Sequence, residues 1–116
     1  MPQMPATMRA HITLYNASVF DSYLTFPKPL LAAVNGPAIG MAVTSATLTD
    51  GIICSSKATF HTPFRQLGLP PEGCSSVHFE RLMGPEGVEV MLTRGEKVDA
   101  AKALRLGLVK EVGVFL

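Results

Sequence analysis

The sequence predicts a small α/β domain, and three observations carry that reading. A five-residue apolar run, Leu30-Leu31-Ala32-Ala33-Val34, is bounded by Pro29 and by Asn35-Gly36-Pro37, the pattern of a short strand buried on both faces. The small and apolar residues from Ala38 to Leu48 follow at once, and a helix built of them can lie close against a sheet. Charge is also uneven along the chain: five charged residues (Arg9, Asp21, Lys28, Asp50 and Lys57) precede His61 and fourteen follow it. The first half is therefore expected to be interior scaffold and the second to carry solvated helices.

The elements follow in order. From Met8 to Tyr23 the apolar residues Ile12, Leu14, Tyr15, Val19, Phe20 and Tyr23 fall mostly at three- and four-residue steps, which predicts one helical face. Phe26-Pro27-Lys28-Pro29 ends that helix, because proline lacks a backbone donor and restricts the residue before it. After the strand at Leu30 to Val34 and the helix at Ala38 to Leu48, Gly51 to Cys54 and Ala58 to His61 read as two strands around a turn at Ser55-Ser56-Lys57. A loop from Thr62 to Pro71 leads to a helix from about Gly73 to Met83, and Pro85 opens another that ends near Thr93. Asp99 is an N-cap for Ala100 to Leu106, Gly107 is its stop, and Leu108-Val109 and Val112 resume an extended course. The chain reads as one domain over residues 1–116, with Met1 to Thr7 disordered and no internal repeat.

Composition removes several function classes. The longest apolar run is far too short to span a bilayer, and the N-terminus lacks a basic segment followed by an apolar core. A net charge of +1 without basic clusters or interleaved aromatics argues against nucleic acid as a partner. Cys54 and Cys74 stand twenty residues apart with no CxxC and no histidine at ligand spacing, so both read as reduced, buried small hydrophobes and no metal site is expected. His11, His61 and His78 have no acid partner in the sequence and read as packing or surface residues; the six methionines are scattered and read as core filling. Lys97, Lys102 and Lys110 read as a solvated face. With 47% hydrophobic residues against 16% charged, the chain is more apolar than an ordinary domain of its size, which suggests a surface partly covered by something else.

Two places could carry chemistry. At the strand, glycine turn and helix of Val34 to Met41, free backbone N–H groups and the positive end of a helix would favour a developing oxyanion; a glycine turn that serves only packing has the same sequence. The second place is Glu72. An acid in the first turn of a helix is favoured by the helix dipole alone, yet the apolar setting of Leu67, Leu69, Pro70 and Pro71 disfavours the charged carboxylate and so suits a general base. The residues by themselves leave both alternatives open.

Together the segments are more specific. "FPKPLLAAVNGPAIGMAV", "DGIICSSKATFHTPFRQLGLPPEGCSS" and "GEKVDAAKALRLGLVKEV" closely resemble the crotonase superfamily, the enoyl-CoA hydratase/isomerase family, from about Met8 to Val112. "ATFHTPF" and "PPEGCSS" look like the peroxisomal-type Δ3,Δ2-enoyl-CoA isomerases rather than the hydratases. The fold this implies is the central part of a crotonase-like ββα spiral with flanking helices.

The resemblance also implies roles. In this family two backbone N–H groups hold the thioester oxygen, and the one from the helix start falls on Met41 beside Gly40. The hydratases' two glutamates fall on Thr44 and Phe64, so both acids are absent and water addition is not expected. The isomerases' single carboxylate falls on Glu72, which would take a proton from C2 of a 3-enoyl-CoA and return one at C4, with Phe64, Leu67 and Leu69 excluding water and accommodating the acyl chain. The substrate implied is an acyl-CoA thioester, with no cofactor beyond the coenzyme A it carries, and a homotrimer where the full domain is present. The family's first oxyanion donor would precede the helix at Met8 to Tyr23, and its C-terminal helices would follow "GLVKEV". Competing readings are thus an enoyl-CoA isomerase, a hydratase-type enzyme of a specialised acyl-CoA pathway, and a non-catalytic remnant. The resemblance implies a peroxisomal location, with cytoplasmic the alternative; Val114-Phe115-Leu116 is not a peroxisomal tripeptide, and no targeting signal is visible.

Overall fold

The computed structural model describes residues 4–113. After the helix α1 (Ala6–Leu24), the backbone runs the same course twice: β1 (Leu31–Val34) and β2 (Pro37–Ile39) lead into α2 (Met41–Thr47), then β3 (Gly51–Ser55) and β4 (Thr59–His61) lead through a long loop into α3 (Ser75–Val88). β1 lies parallel to β3 with Leu31 opposite Gly51, and β2 lies parallel to β4 with Pro37 opposite Thr59. Each pass therefore adds one strand to each of two sheets and returns along a helix, which is the ββα spiral. This repeat is absent from the sequence because it resides in the backbone path: the corner between strands is Asn35-Gly36 in one pass and Ser56-Lys57-Ala58 in the other.

The remaining elements close the two sheets. β5 (Val98–Asp99) runs antiparallel to β4, α4 (Ala100–Leu106) follows it, and β6 (Glu111–Gly113) runs parallel to β3, giving the orders β1-β3-β6 and β2-β4-β5. The core sits between sheets and helices, with Val43, Phe60, Phe79 and Met91 completely buried. The boundaries of α4 fall as expected: the Asp99 carboxylate accepts from the Lys102 N–H at 2.8 Å, and Gly107 ends the helix with φ +86°. Among the described residues no helix is long and apolar enough to cross a membrane.

Several expectations are corrected. The first half is not uniformly interior. In α1 only Phe20 is buried, with Asn16, Val19 and Tyr23 partly covered beside it, while Leu14 is 68% exposed. Those four covered positions are the true helical face. Leu14 and Tyr15 are successive residues about 100° apart around the axis and cannot both share it. β1 is not buried on both faces: it is an edge strand whose residues alternate exposed and half-buried, beginning with exposed Leu31. The helix expected at Ala38 to Leu48 begins only at Met41, because Pro37 to Ile39 pair with β4 and Gly40 turns the chain with φ +59°. An unbroken run of small apolar residues hides that change of state. β5 is an additional strand too short to signal itself. Helix α3 is interrupted at Gly84 (φ +71°, ψ −175°), so that Pro85 does open a second segment, which ends in a π-helical turn at Glu89–Thr93. Cys54 is buried, but Cys74 is exposed, since it sits at the left-handed residue that precedes α3. Of the segment expected to be disordered, residues 1–3 lie outside the described residues, whereas Ala6 and Thr7 are helical.

Candidate functional site

The site begins at the second corner of the first pass. Gly40 has φ +59° and ψ −120°, a conformation open to glycine, and it swings the chain from β2 into α2. Its N–H donates to the His61 carbonyl at 2.8 Å, so that group is engaged in holding the turn against β4. Met41 is the first residue of α2, and its N–H has no carbonyl one helical turn behind it to meet. Of the two residues expected at an oxyanion site, then, Gly40 shapes the turn and Met41 presents the free donor.

Glu72 reaches this turn from the other end of the loop Thr62 to Cys74. The Thr44 hydroxyl, completely buried in α2, lies 2.8 Å from Glu72 Oε1 and 3.3 Å from the Met41 carbonyl. A hydroxyl has one proton, and the shorter contact to a carboxylate is the stronger acceptor, so Thr44 donates to Glu72. The main chain of Glu72 is fixed as well. Its carbonyl accepts both the Ser75 hydroxyl at 2.6 Å and the Ser75 N–H at 3.1 Å, and Ser75 is itself buried. Half-buried Glu72 is therefore held at its main chain and at one carboxylate oxygen.

The approach of Glu72 to α2 requires the residue that follows it. Gly73 has φ +61°, and a Cβ there would stand 2.7 Å from Thr44 Oγ1 and 2.8 Å from Phe20 Cε1. Cys74 is also left-handed, with φ +62°, and two such residues in succession turn the chain sharply into α3. The rest of the loop is tied down by Arg65 and Gln66, whose side chains donate to the carbonyls of Thr93 and Gly95 at 2.8 Å each.

The apolar residues expected around Glu72 separate. Phe64 is 5% exposed and lines, with Leu69, Pro71 and Leu92, a groove of about 420 Å³ that runs up to the residue before Glu72. Leu67 does not line it: at 65% exposed it lies on the outside of the loop. His61 and His78 meet the carbonyls of Gly95 and Thr47, and His11 is exposed, so none of the three faces Glu72 through a hydrogen bond. Lys102 pairs with Glu96 at 2.6 Å and Lys110 with the Asp50 carbonyl at 2.7 Å. Among the described residues no three His, Cys, Asp or Glu side chains gather where one metal ion could be held. Thr44, Ser75 and Phe20 are the residues the sequence reading missed around Glu72 and Gly73; the hydroxyl at 44 is one of three in α2, with Ser45 and Thr47, so nothing local singled it out.

The model of the family described as enoyl-CoA hydratase/isomerase matches residues 2–114. The chain belongs to that family. It is 51% identical over 90 residues to the human enoyl-CoA delta isomerase 2, covering 78% of this chain and 23% of that protein. With the mouse peroxisomal enoyl-CoA delta isomerase 3 it shares 51% identity over 92 residues, covering 79% of this chain and 29% of the relative. The crystal structure of an enoyl-CoA hydratase/isomerase from Cupriavidus metallidurans superposes with a TM-score of 0.83 at 30% identity, over 96% of this chain and 42% of that one. The chain thus spans about a quarter of the length of these curated relatives, and the crotonase fold inferred from its motifs is the fold it has.

Proposed function

We propose that this chain carries the proton-transfer machinery of an enoyl-CoA isomerase, converting a 3-enoyl-CoA thioester to its conjugated 2-enoyl isomer. The observation that carries the reading is the Thr44 bridge, which sets the Glu72 carboxylate beside the first turn of α2, where the Met41 N–H is free. A C2 proton next to a thioester can be removed only if the enolate is stabilised, so a base and an oxyanion donor have to stand on opposite sides of one small volume. Glu72 takes the C2 proton while the electron pair of that C–H bond delocalises onto the thioester oxygen, held by the Met41 N–H. The carboxylic acid so formed then delivers its proton to C4, the double bond comes to rest between C2 and C3, and the carboxylate is restored. One carboxylate serves both carbons because they belong to the same allylic unit.

The reaction is redox-neutral and consumes no water, so it needs no cofactor apart from the coenzyme A of its substrate. Water addition is disfavoured by chemistry: the positions that correspond to the hydratase acids are Thr44, whose hydroxyl is committed to Glu72, and Phe64, which is buried. The groove lined by Phe64, Leu69, Pro71 and Leu92 is the proposed course of the acyl chain. The likeness to a relative named as peroxisomal supports a place in peroxisomal fatty acid metabolism, and a homotrimer is the proposed assembly of the complete domain.

The test is turnover of a 3-enoyl-CoA, followed by the absorbance of the conjugated thioester. The wild-type chain is expected to form product, and Glu72→Gln, which keeps the hydrogen bond to Thr44 but removes the base, is expected to be slower by about 10²–10⁴-fold. Equal rates in the two proteins would overturn the assignment.

A further inference from the structure

We infer that Thr44 is a positioning residue that makes the two oxygens of Glu72 inequivalent, reserving Oε1 as a permanent hydrogen-bond acceptor and leaving Oε2 to carry the proton; this rests on the isomerase reading above. The Thr44 hydroxyl stands 2.8 Å from Oε1 and is wholly buried, so water does not compete for it. Its own chain is fixed, because the Thr44 carbonyl accepts the buried Thr47 hydroxyl at 2.7 Å. The missing side chain of Gly73 leaves room for the contact: any Cβ there would fall 2.8 Å from Thr44 Cβ. Among the described residues, no other side chain donates to the Glu72 carboxylate.

A single donor fixed on one oxygen has a chemical consequence. When Glu72 is ionised, Oε1 accepts from Thr44 and Oε2 is the free base. When Glu72 has taken a proton, Oε1 still accepts as the carbonyl oxygen, and the acid O–H is on Oε2. The carboxyl group does not have to rotate between removing a proton at C2 and returning it at C4, because the same oxygen performs both transfers. Without the donor, the carboxyl plane can turn and the proton is shared between oxygens that face different ways. Positioning of this kind acts on the chemical step and leaves substrate binding nearly untouched.

The experiment compares wild type, Thr44→Val, Thr44→Ser and Glu72→Gln. Valine keeps the shape of threonine and removes the donor; serine restores the donor on a smaller side chain. The expected result is a kcat about 10–100-fold lower in Thr44→Val with KM within about twofold, and recovery of most of that loss in Thr44→Ser. In the same samples, the 13C resonance of the Glu72 carboxyl carbon is expected to move in Thr44→Val and return in Thr44→Ser. A Thr44→Val protein that turns over like wild type while Glu72→Gln does not would overturn the positioning role and leave the isomerase reading standing. A carboxyl resonance that ignores both substitutions at 44 would overturn the contact itself. No turnover in folded wild type would overturn the isomerase reading, and with it the positioning role of Thr44 in that reaction, whatever the resonance does.

Discussion

Phe20, the one buried residue of α1, rests against Gly73, the residue that follows Glu72. Gly73 is in turn in contact with Thr44, so a residue from α1, one from α2 and one from the loop before α3 converge where a single side chain is missing. The carboxylate is placed by a packing junction as much as by a hydrogen bond.

That junction predicts the outcome of Gly73→Ala. The methyl group would stand 2.7 Å from Thr44 Oγ1 and 2.8 Å from Phe20 Cε1, and the residue would have to adopt φ +61°. Overpacking costs about 1–3 kcal/mol and the left-handed backbone about 1–2 kcal/mol, so chemical denaturation is expected to show a loss of about 2–5 kcal/mol. Turnover is expected to fall further than stability explains, because relief of the clash moves Glu72 from Thr44. A variant as stable as wild type would show that the loop has another conformation available.

Phe20→Ala tests the other side of the same contact. The anchoring face of α1 consists of Asn16, Val19, Phe20 and Tyr23, and only Phe20 is fully covered. Burying a phenylalanine side chain contributes about 1.5–3 kcal/mol, a large part of what holds this helix to the body. Hydrogen exchange is expected to show α1 losing protection by about 10–100-fold while β3 and α4 keep theirs. Uniform loss across the chain would mean instead that α1 unfolds only with the whole.

How much of this was legible in the sequence follows from where the information lies. Asp99 and Gly107 bound α4 correctly, because a cap and a left-handed stop are local events written in single residues. Glu72 and the glycine turn before Met41 stand out locally, but the residues alone left a dipole acid and a packing turn as open alternatives, and the roles proposed for them come from the family resemblance. Burial was harder. Leu31, Leu14 and Leu67 are as apolar as any core residue but lie on an edge strand, the outer side of α1 and the crest of a loop, and composition cannot tell which apolar surface finds a partner. The state change inside Pro37 to Thr47 was hidden for the same reason: strand and helix are built there from one alphabet of small residues. Thr44 reaches Glu72 across 28 positions, a relation set by the spiral rather than by any local signal.

The two thiols offer a pH-dependent test of the packing around β3. Cys54 is completely buried, and loss of hydration pushes its thiol above the ordinary value of 9.0, whereas Cys74 is exposed. The thiolate is the reactive form, so at pH 8 an alkylating reagent is expected to label Cys74 quickly and Cys54 only as fast as the chain opens. The shift has a sign for stability as well. A thiol whose pKa is raised by folding keeps its proton longer in the native state than in the unfolded chain. Its contribution is therefore fully present below the unfolded value and is lost as pH rises through the interval above it. Stability is expected to fall on going above about pH 9 by more in wild type than in Cys54→Ala, with each protein compared against its own stability at pH 7. Equal labelling of both cysteines at pH 8 in native conditions would contradict the burial of Cys54 between β1 and β6 in the first sheet.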